Sequence, residues 1–262
     1  MADPLYKSEY FDTFQPDARS AAQVVVPFVL ELLKPGSVCD VGCGRGTWLA
    51  VFRELGVTDV CGVDGDYVNR DELEILPEEF VAADLERGLE LDRRFDLVLS
   101  LEVAEHLPEE SAAGLVDSLV ALAPVVLFSA AIPGQWGYGH VNEQWPDYWN
   151  DHFRRHDYLA IDCIRPRIWT DLRVRFWYRQ NTVMFGARSF VDSHASLKAE
   201  CERAKGRPLS IVHPRMFDLA SKRPWARVKS LRDARDAGRI TEEEFESKIA
   251  RALARVEPPR QL

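Results

Sequence analysis

The stretch VCDVGCGRGTW, residues 38 to 48, decides the fold. The short apolar run SVCDV at 37–41 leads into a glycine-rich turn and then into TWLAVFRELG, a one-faced helical pattern stopped at Gly56. Strand, tight turn and helix in that order form the opening unit of a layered α/β domain. Gly42 permits a turn that a side chain would strain, while Gly44 and Gly46 let backbone amides approach a ligand closely. The spacing is GxGxG and position 47 is Thr, so the GxGxxG dinucleotide register is not met, and a Walker lysine is missing. Taken alone, such a turn also has a purely structural use.

Working outward, VTDVCGVD at 57–64 predicts a second strand, EFVAADL at 79–85 a third, RFDLVLSLEV at 94–103 a fourth and PVVLFSAAI at 124–132 a fifth. SAAQVVVPFVLELLK at 20–34 reads as a helix that Pro27 bends or divides, and ESAAGLVDSLVALA as a crossover helix. A short helix is expected at 151–160, a strand at 162–168 and a last strand within 177–188, which puts an antiparallel edge on the sheet. The expected fold class is α/β, a doubly wound, mostly parallel sheet of seven strands. Between strand five and the closing strands, PGQWGYGHVNEQWPDYW at 133–149 is too punctuated for a core element and reads as a loop over the carboxyl ends of the strands.

Residues 1–190 form the expected domain, 191–226 a Lys-, Arg- and Pro-rich linker with one short helix near Arg215 to Ala220, and 227–262 a helical hairpin broken at Gly238. Thr241 and Glu244 make a capping box there, and Ile240, Phe245, Ile249 and Leu253 give it an apolar edge suited to packing on the domain, on a second copy or on a partner. Charge is uneven: residues 191–262 carry 16 Lys/Arg against 11 Asp/Glu, net +5, leaving 17 against 31, net −14, on residues 1–190. An acidic main domain argues against nucleic acid as the partner. Five cysteines without a CxxC pair suit buried thiols in a reducing compartment, and neither a leader nor an 18-residue apolar run is seen, so a cytoplasmic location without membrane contact is expected.

The acids at the strand ends point to a ligand. Asp64 ends the second strand, where a carboxylate accepts from both hydroxyls of an adenosine ribose; Asp84 ends the third, where it accepts from the adenine amino group while the Leu85 amide meets a ring nitrogen. Asp66, two residues on, is a rival for the ribose role. Ligands of doubly wound sheets sit outside these carboxyl ends, so separate stretches converge on one crevice.

From Val38 to Leu107, VCDVGCGRGTW through GVDGD and AADL to FDLVLSLEVAEHL resembles the class I S-adenosylmethionine-dependent methyltransferase family in order and spacing. The likeness covers roughly residues 20–188. It implies that Asp40, Gly42, Gly44 and Gly46 surround the methionine end of S-adenosylmethionine, Asp64 holds the ribose, Asp84 and Leu85 take the adenine, and Ser100, Leu101 and Glu102 border the methyl donor. Tyr10, in the run Tyr10 to Phe14, is similar to the variable lid of such enzymes and reaches toward the cofactor carboxylate; the same run also reads as a packing arm. Glu105 and His106 match the usual end of the fourth motif and read as a local hydrogen-bonding and packing pair at a helix start.

Transfer from a sulfonium needs alignment above all, and an alcohol acceptor also needs a base. His140 is the expected base, with Glu143 close enough to orient it; a loop-stitching role for both is the plain alternative. GHVNEQW resembles loops of a bacterial subgroup of small-molecule methyltransferases. Trp136, Tyr138, Asn142, Trp145 and His152 are the expected acceptor contacts, fitting a sugar hydroxyl or a cyclic secondary metabolite. His152 and His156 beside Arg154 and Arg155 also suit an anionic acceptor. No metal is expected: Asp147, Asp151 and His152 have suitable donors, but spacing does not bring them to one point. Two other functions remain open. Methylation of RNA or protein rests on the basic tail around Trp225, and a non-catalytic cofactor-binding scaffold rests on the hairpin, which resembles a short bacterial carboxyl-terminal helical module.

Overall fold

The computed structural model describes residues 8–254. Seven strands form one sheet in the order β3-β2-β1-β4-β5-β7-β6: β1 Ser37–Val41, β2 Asp59–Asp64, β3 Phe80–Ala82, β4 Leu97–Leu101, β5 Val125–Ser129, β6 Tyr158–Ile161 and β7 Val183–Ala187. β1 to β5 are parallel, and β7 runs antiparallel to both β5 and β6. The central strands β1, β4 and β5 are buried on both faces, which explains their nearly unbroken apolar sequences. One core layer joins Val25, Leu49, Phe52 and Leu99; the other joins Leu115, Leu119, Phe128 and Phe153.

Around the sheet, α1 (Ser8–Leu33) and α2 (Thr47–Glu54) belong to the first layer, and α3 (Ala112–Leu122) and α4 (Pro146–Arg154) to the second. The run Tyr10 to Phe14 belongs to α1, which continues through Pro16 and Pro27 without division; the Tyr10 side chain lies outside the described residues. α4 starts at Pro146 because proline suits the first helical turn, earlier than the expected 151.

Two other boundaries differ from expectation. β6 occupies 158–161 and residues 162–168 turn into α5 (Arg165–Ile168), where buried Arg165 closes a bidentate pair with Asp162 at 2.8 and 2.9 Å. That pair satisfies both charges locally, and an apolar-looking DCIRPRI leaves the sheet. α6 (Phe176–Asn181) then precedes β7.

The expected linker is not one. α7 (Arg188–Ser193) and α8 (Ala195–Ala204) bury Val191 and Leu197 in the first core layer, and the Ser196 hydroxyl donates to the Leu32 carbonyl at 2.9 Å. Two buried aliphatic anchors outweigh the polar composition that suggested a linker. The first compact unit accordingly runs to Ile211. Truncation after Ile211 is expected to keep a cooperative thermal transition. Truncation after Ser189 removes two core side chains, each worth about 2–5 kcal/mol, and is expected to lose that transition.

The second unit, 212–262, holds α9 (Pro214–Asp236) and α10 (Glu242–Ala254), so its first helix begins well before residue 227. The Glu244 amide donates to Thr241 Oγ1 at 3.2 Å, and the Thr241 amide donates to Glu244 Oε2 at 3.0 Å, starting α10 as a capping box does. Phe245 is buried beneath the Arg235 guanidinium, 4.3 Å from its ring centre. Among the described residues no helix is long and apolar enough to cross a membrane.

Candidate active site

The carboxyl ends of β1, β2 and β4 and the turns that follow them build the site. After β1 the chain enters the glycine turn, where Gly42, Gly44 and Gly46 all have positive φ. The amides of Gly42 and Cys43 donate to the Val63 carbonyl at 2.7 and 3.1 Å, tying the turn to β2. A Cβ on Gly42 would lie 2.3 Å from Val103 Cγ2, so no other residue fits there without displacement.

Asp64 braces this turn from the end of β2. Its carboxylate accepts from the Gly44 amide (2.7 Å), the Gly65 amide (2.7 Å) and the Tyr67 hydroxyl (2.6 Å). A carboxylate has about four acceptor sites, so these three bonds fill most of them. Asp66 instead points to solvent and pairs with Arg70 at 3.2 Å, which makes Asp64 the better placed of the two rivals. Asp64→Ala is therefore expected to cost stability as well as ligand affinity, on the order of 1–3 kcal/mol for stranded donors; chemical denaturation of the ligand-free protein measures it.

Asp40 is buried at the end of β1 and borders a cleft of about 110 Å³ with Phe14, Gln15, Trp48, Leu101 and Tyr178. Burial first, and then the neighbouring Asp64 charge, push its carboxyl up to about 8. Burial also raises Asp64 against its three hydrogen bonds. Because the folded protein holds the Asp40 proton more tightly than the unfolded chain, this stability is fully present below the ordinary value of 3.8 and is lost as pH rises through about 8. Asp40→Asn is expected to raise the melting temperature relative to the parent, by an increment that grows from pH 5 to about pH 8. Thermal denaturation across that range, without ligand, shows it; an increment independent of pH would contradict the assignment.

At the end of β3, Asp84 is half exposed, accepts from the Glu86 amide at 3.2 Å and pairs with Arg87 at 3.0 Å; Leu85 beside it is buried. At the end of β4, the buried Ser100 hydroxyl has no hydrogen-bond partner among the described residues, Leu101 lines the cleft, and Glu102 adopts φ +56°. Such backbone in a non-glycine residue persists where surroundings over-determine it. Here the Glu102 amide donates to the Ser129 carbonyl and hydroxyl, while its carboxylate accepts from Gln135 (3.1 Å) and Asn181 (3.1 Å). Burial raises its carboxyl, against those hydrogen bonds.

The 133–145 loop closes over this end of the sheet. Glu143 is its brace: Oε2 accepts from the Gly134 amide at 2.8 Å and Oε1 from the Trp136 amide at 2.6 Å. The same Oε1 lies 2.9 Å from His140 Nδ1. The His140 ring stands edge-on to His106, with centroids 4.9 Å apart, and packs so closely on Gly137 that a Cβ there would be 1.9 Å from Nε2. The amides of Val141 and Asn142 both donate to the Glu105 carbonyl, at 2.9 and 3.0 Å, locking the loop to the turn after β4.

That turn departs from expectation. Glu105 lies in a short 3-10 turn, Ala104–His106, fully buried, and among the described residues no side chain donates to its carboxylate in good geometry. The backbone amides of Glu105 itself and of Ala131 ease its charge, a weak form of the expected local hydrogen bond. Burial first, and then Glu102, push its carboxyl well above the ordinary range. Burial and His140 lower His106 to about 4.

Of the acceptor candidates, Trp136, Tyr138 and Trp145 expose their rings on the loop, with Trp136 at φ +54°. Asn142 is buried and accepts from Gln144 at 3.0 Å. His152 stands apart on α4, against Tyr148 and near Arg155 and Asp117, and His156 is held by Asp117 at 2.7 Å. Asp147 accepts from Ser210 and Asp151 lies 3.9 Å from Arg154, so neither joins His152 at one point. Gln135 and Asn181 were not foreseen; the signal was the polar run Arg179 to Thr182, which is buried throughout.

A family model described as a methyltransferase domain matches residues 14–163, more than half of the chain. The chain belongs to the S-adenosylmethionine-dependent methyltransferase family. No curated protein matches this methyltransferase at a significant level. Solved structures similar to it include the plantazolicin methyltransferase BpumL in complex with SAH, 15% identical over 69% of this chain and 88% of that one, TM-score 0.48. Others are Streptomyces venezuelae DesVI, 22% identical over 50% and 62%, TM-score 0.40, and the magnesium protoporphyrin IX methyltransferase of Synechocystis PCC 6803 with bound SAH, 20% identical over 70% and 88%, TM-score 0.47. The methyltransferase's cofactor is S-adenosylmethionine. Three buried carboxyls, Asp40, Asp64 and Glu105, and the partly buried Glu102 crowd the strand ends, each raised above its ordinary range, a setting that suits a ligand carrying positive charge.

Proposed function

We propose that this methyltransferase methylates a hydroxyl of a small molecule, a sugar or a cyclic secondary metabolite, under the 133–145 loop. The observation that carries the reading is the His140–Glu143 pair, with Nδ1 2.9 Å from the carboxylate, in a loop that also presents Trp136, Tyr138 and Trp145. Bound S-adenosylmethionine supplies an activated methyl group on a sulfonium.

In this reading Asp40, Gly42, Gly44 and Gly46 hold the methionine end, Asp64 the ribose, Asp84 and Leu85 the adenine. Ser100, Leu101 and Glu102 border the methyl group, and Tyr10 closes over the carboxylate. The acceptor hydroxyl gives its proton to His140 Nε2, while Glu143 stabilises the imidazolium through Nδ1. Trp136, Tyr138, Asn142 and Trp145 fix the acceptor's ring, and the loop excludes water; pre-orientation of this kind contributes up to ~7–11 kcal/mol. His152, on α4, belongs at most to an outer part of the acceptor site.

The test is turnover against a panel of hydroxylated sugars and phenolic metabolites, with amine analogues alongside, following release of the demethylated cofactor and locating the new methyl by NMR. An O-methyl product supports the reading. Products methylated only at nitrogen or carbon remove the need for a base, and tight cofactor binding without turnover on any class favours the scaffold function.

A further inference from the structure

We infer that Glu105, His106 and His140 form a binding site for a divalent transition-metal cation at the edge of the acceptor pocket. One donor atom from each residue lies within 4.8 Å of the other two. The Glu105 carboxylate is fully buried, its charge eased only by the backbone amides of Glu105 and Ala131, and no side chain among the described residues donates to it in good geometry. Leaving such a group unsatisfied is costly, and a cation is the ligand that offsets it most completely.

The geometry is preorganised. Glu105 and His106 sit in one short turn, and His140 comes from the loop that the Val141 and Asn142 amides clamp onto the Glu105 carbonyl. Glu143 engages His140 Nδ1 and leaves Nε2 for a metal, the arrangement in which an outer carboxylate orients a ligating imidazole. The His140 ring packs onto Gly137, where a Cβ would lie 1.9 Å from Nε2, so glycine is what lets the imidazole take this position. A cation ~2.0–2.2 Å from each donor needs donors ~3.0–3.5 Å apart, so the three side chains draw together by at most about 1–2 Å on binding. One oxygen and two nitrogens form a borderline donor set, suited to Mn²⁺, Co²⁺ or Zn²⁺ and not to the all-oxygen preference of Ca²⁺. Three protein ligands leave coordination positions for solvent or for an acceptor oxygen.

The site rests on the proposed function only for its role: a cation on Nε2 makes His140 a ligand, so the imidazole serves as base in the metal-free protein alone. Binding is measured without donor or acceptor. Full-length protein stripped with chelator is titrated with Co²⁺ and followed by its visible absorption, which distinguishes nitrogen and oxygen ligands from cysteine thiolate. One equivalent is expected to bind with N/O-type bands. Glu105→Gln and His106→Asn are each expected to weaken binding more than about 100-fold, and Glu143→Gln about 10- to 100-fold. Thermal denaturation of each metal-free variant checks that it folds. No binding at ~1 mM Co²⁺, thiolate bands, or equal affinity in parent and folded variants overturns the site. Loss of base behaviour in the pH–rate profile of metal-free enzyme would overturn the proposed role of His140 and leave the cation site standing.

Discussion

His140→Ala is expected to lower kcat about 10²- to 10⁴-fold in metal-free enzyme while changing cofactor affinity little, because the lost interaction belongs to the transition state for acceptor deprotonation. The imidazole is oriented for that work by Glu143, itself fixed by the Gly134 and Trp136 amides. The comparison to make is the pH dependence of kcat/KM for parent and variant. A base leaves its mark as an acidic limb that the variant lacks. A histidine that only stitches the loop gives parallel profiles, a raised acceptor KM and a lower melting temperature. Calorimetry with S-adenosylhomocysteine, run on both proteins, separates these outcomes from loss of the cofactor site.

The second large effect is at Gly42. An alanine there meets two penalties: φ +86° costs an L-residue roughly 1–2 kcal/mol, and a Cβ 2.3 Å from Val103 Cγ2 adds an overpacking cost of about 1–3 kcal/mol. Gly42→Ala is expected to lose roughly 2–5 kcal/mol of stability and to abolish measurable cofactor binding. Adding Val103→Ala should return the overpacking part and leave the backbone part. Urea denaturation of the two single variants and the double variant yields the coupling between the sites. Additive losses would mean that the turn relaxes away from Val103 and that the clash does not set the cost.

The half of the molecule that holds the glycine turn was readable in the sequence because its signals are local. Strand, glycine turn and helix lie within Ser37 to Glu54, Asp40 stands one residue before the end of β1, and Asp64 ends β2. The other half depends on partners far away in the chain. DCIRPRI looks like a strand until Arg165 folds back on Asp162, and residues 191–204 look like a linker until Val191 and Leu197 find the core. The Glu102 carboxylate meets Asn181, 79 positions away, and Glu105 shares its pocket with a loop beyond β5; no period or spacing reports such contacts. Burial of Glu105 is the clearest case. Its neighbours in sequence suggest an ordinary helix start, whereas in the fold it is fully buried and its carbonyl is clamped by the Val141 and Asn142 amides.

The placing of β7 between β5 and β6 has a consequence for the order of assembly. β5 pairs with β4 on one side and with β7 on the other, whereas β6 pairs with β7 alone. On a chain made from the amino terminus, β5 carries an open edge, and β6 has no strand to join, until residues 183–187 have left the ribosome. The two parallel neighbours of β1 can form first, so the glycine turn is framed early while the acceptor side waits for the end of the domain. Non-local pairing of this kind is slow and leaves an apolar edge exposed meanwhile. A ribosome-stalled chain ending shortly before β7 should thus already present the glycine turn braced by β2, yet recruit chaperones through the unpaired flank of β5.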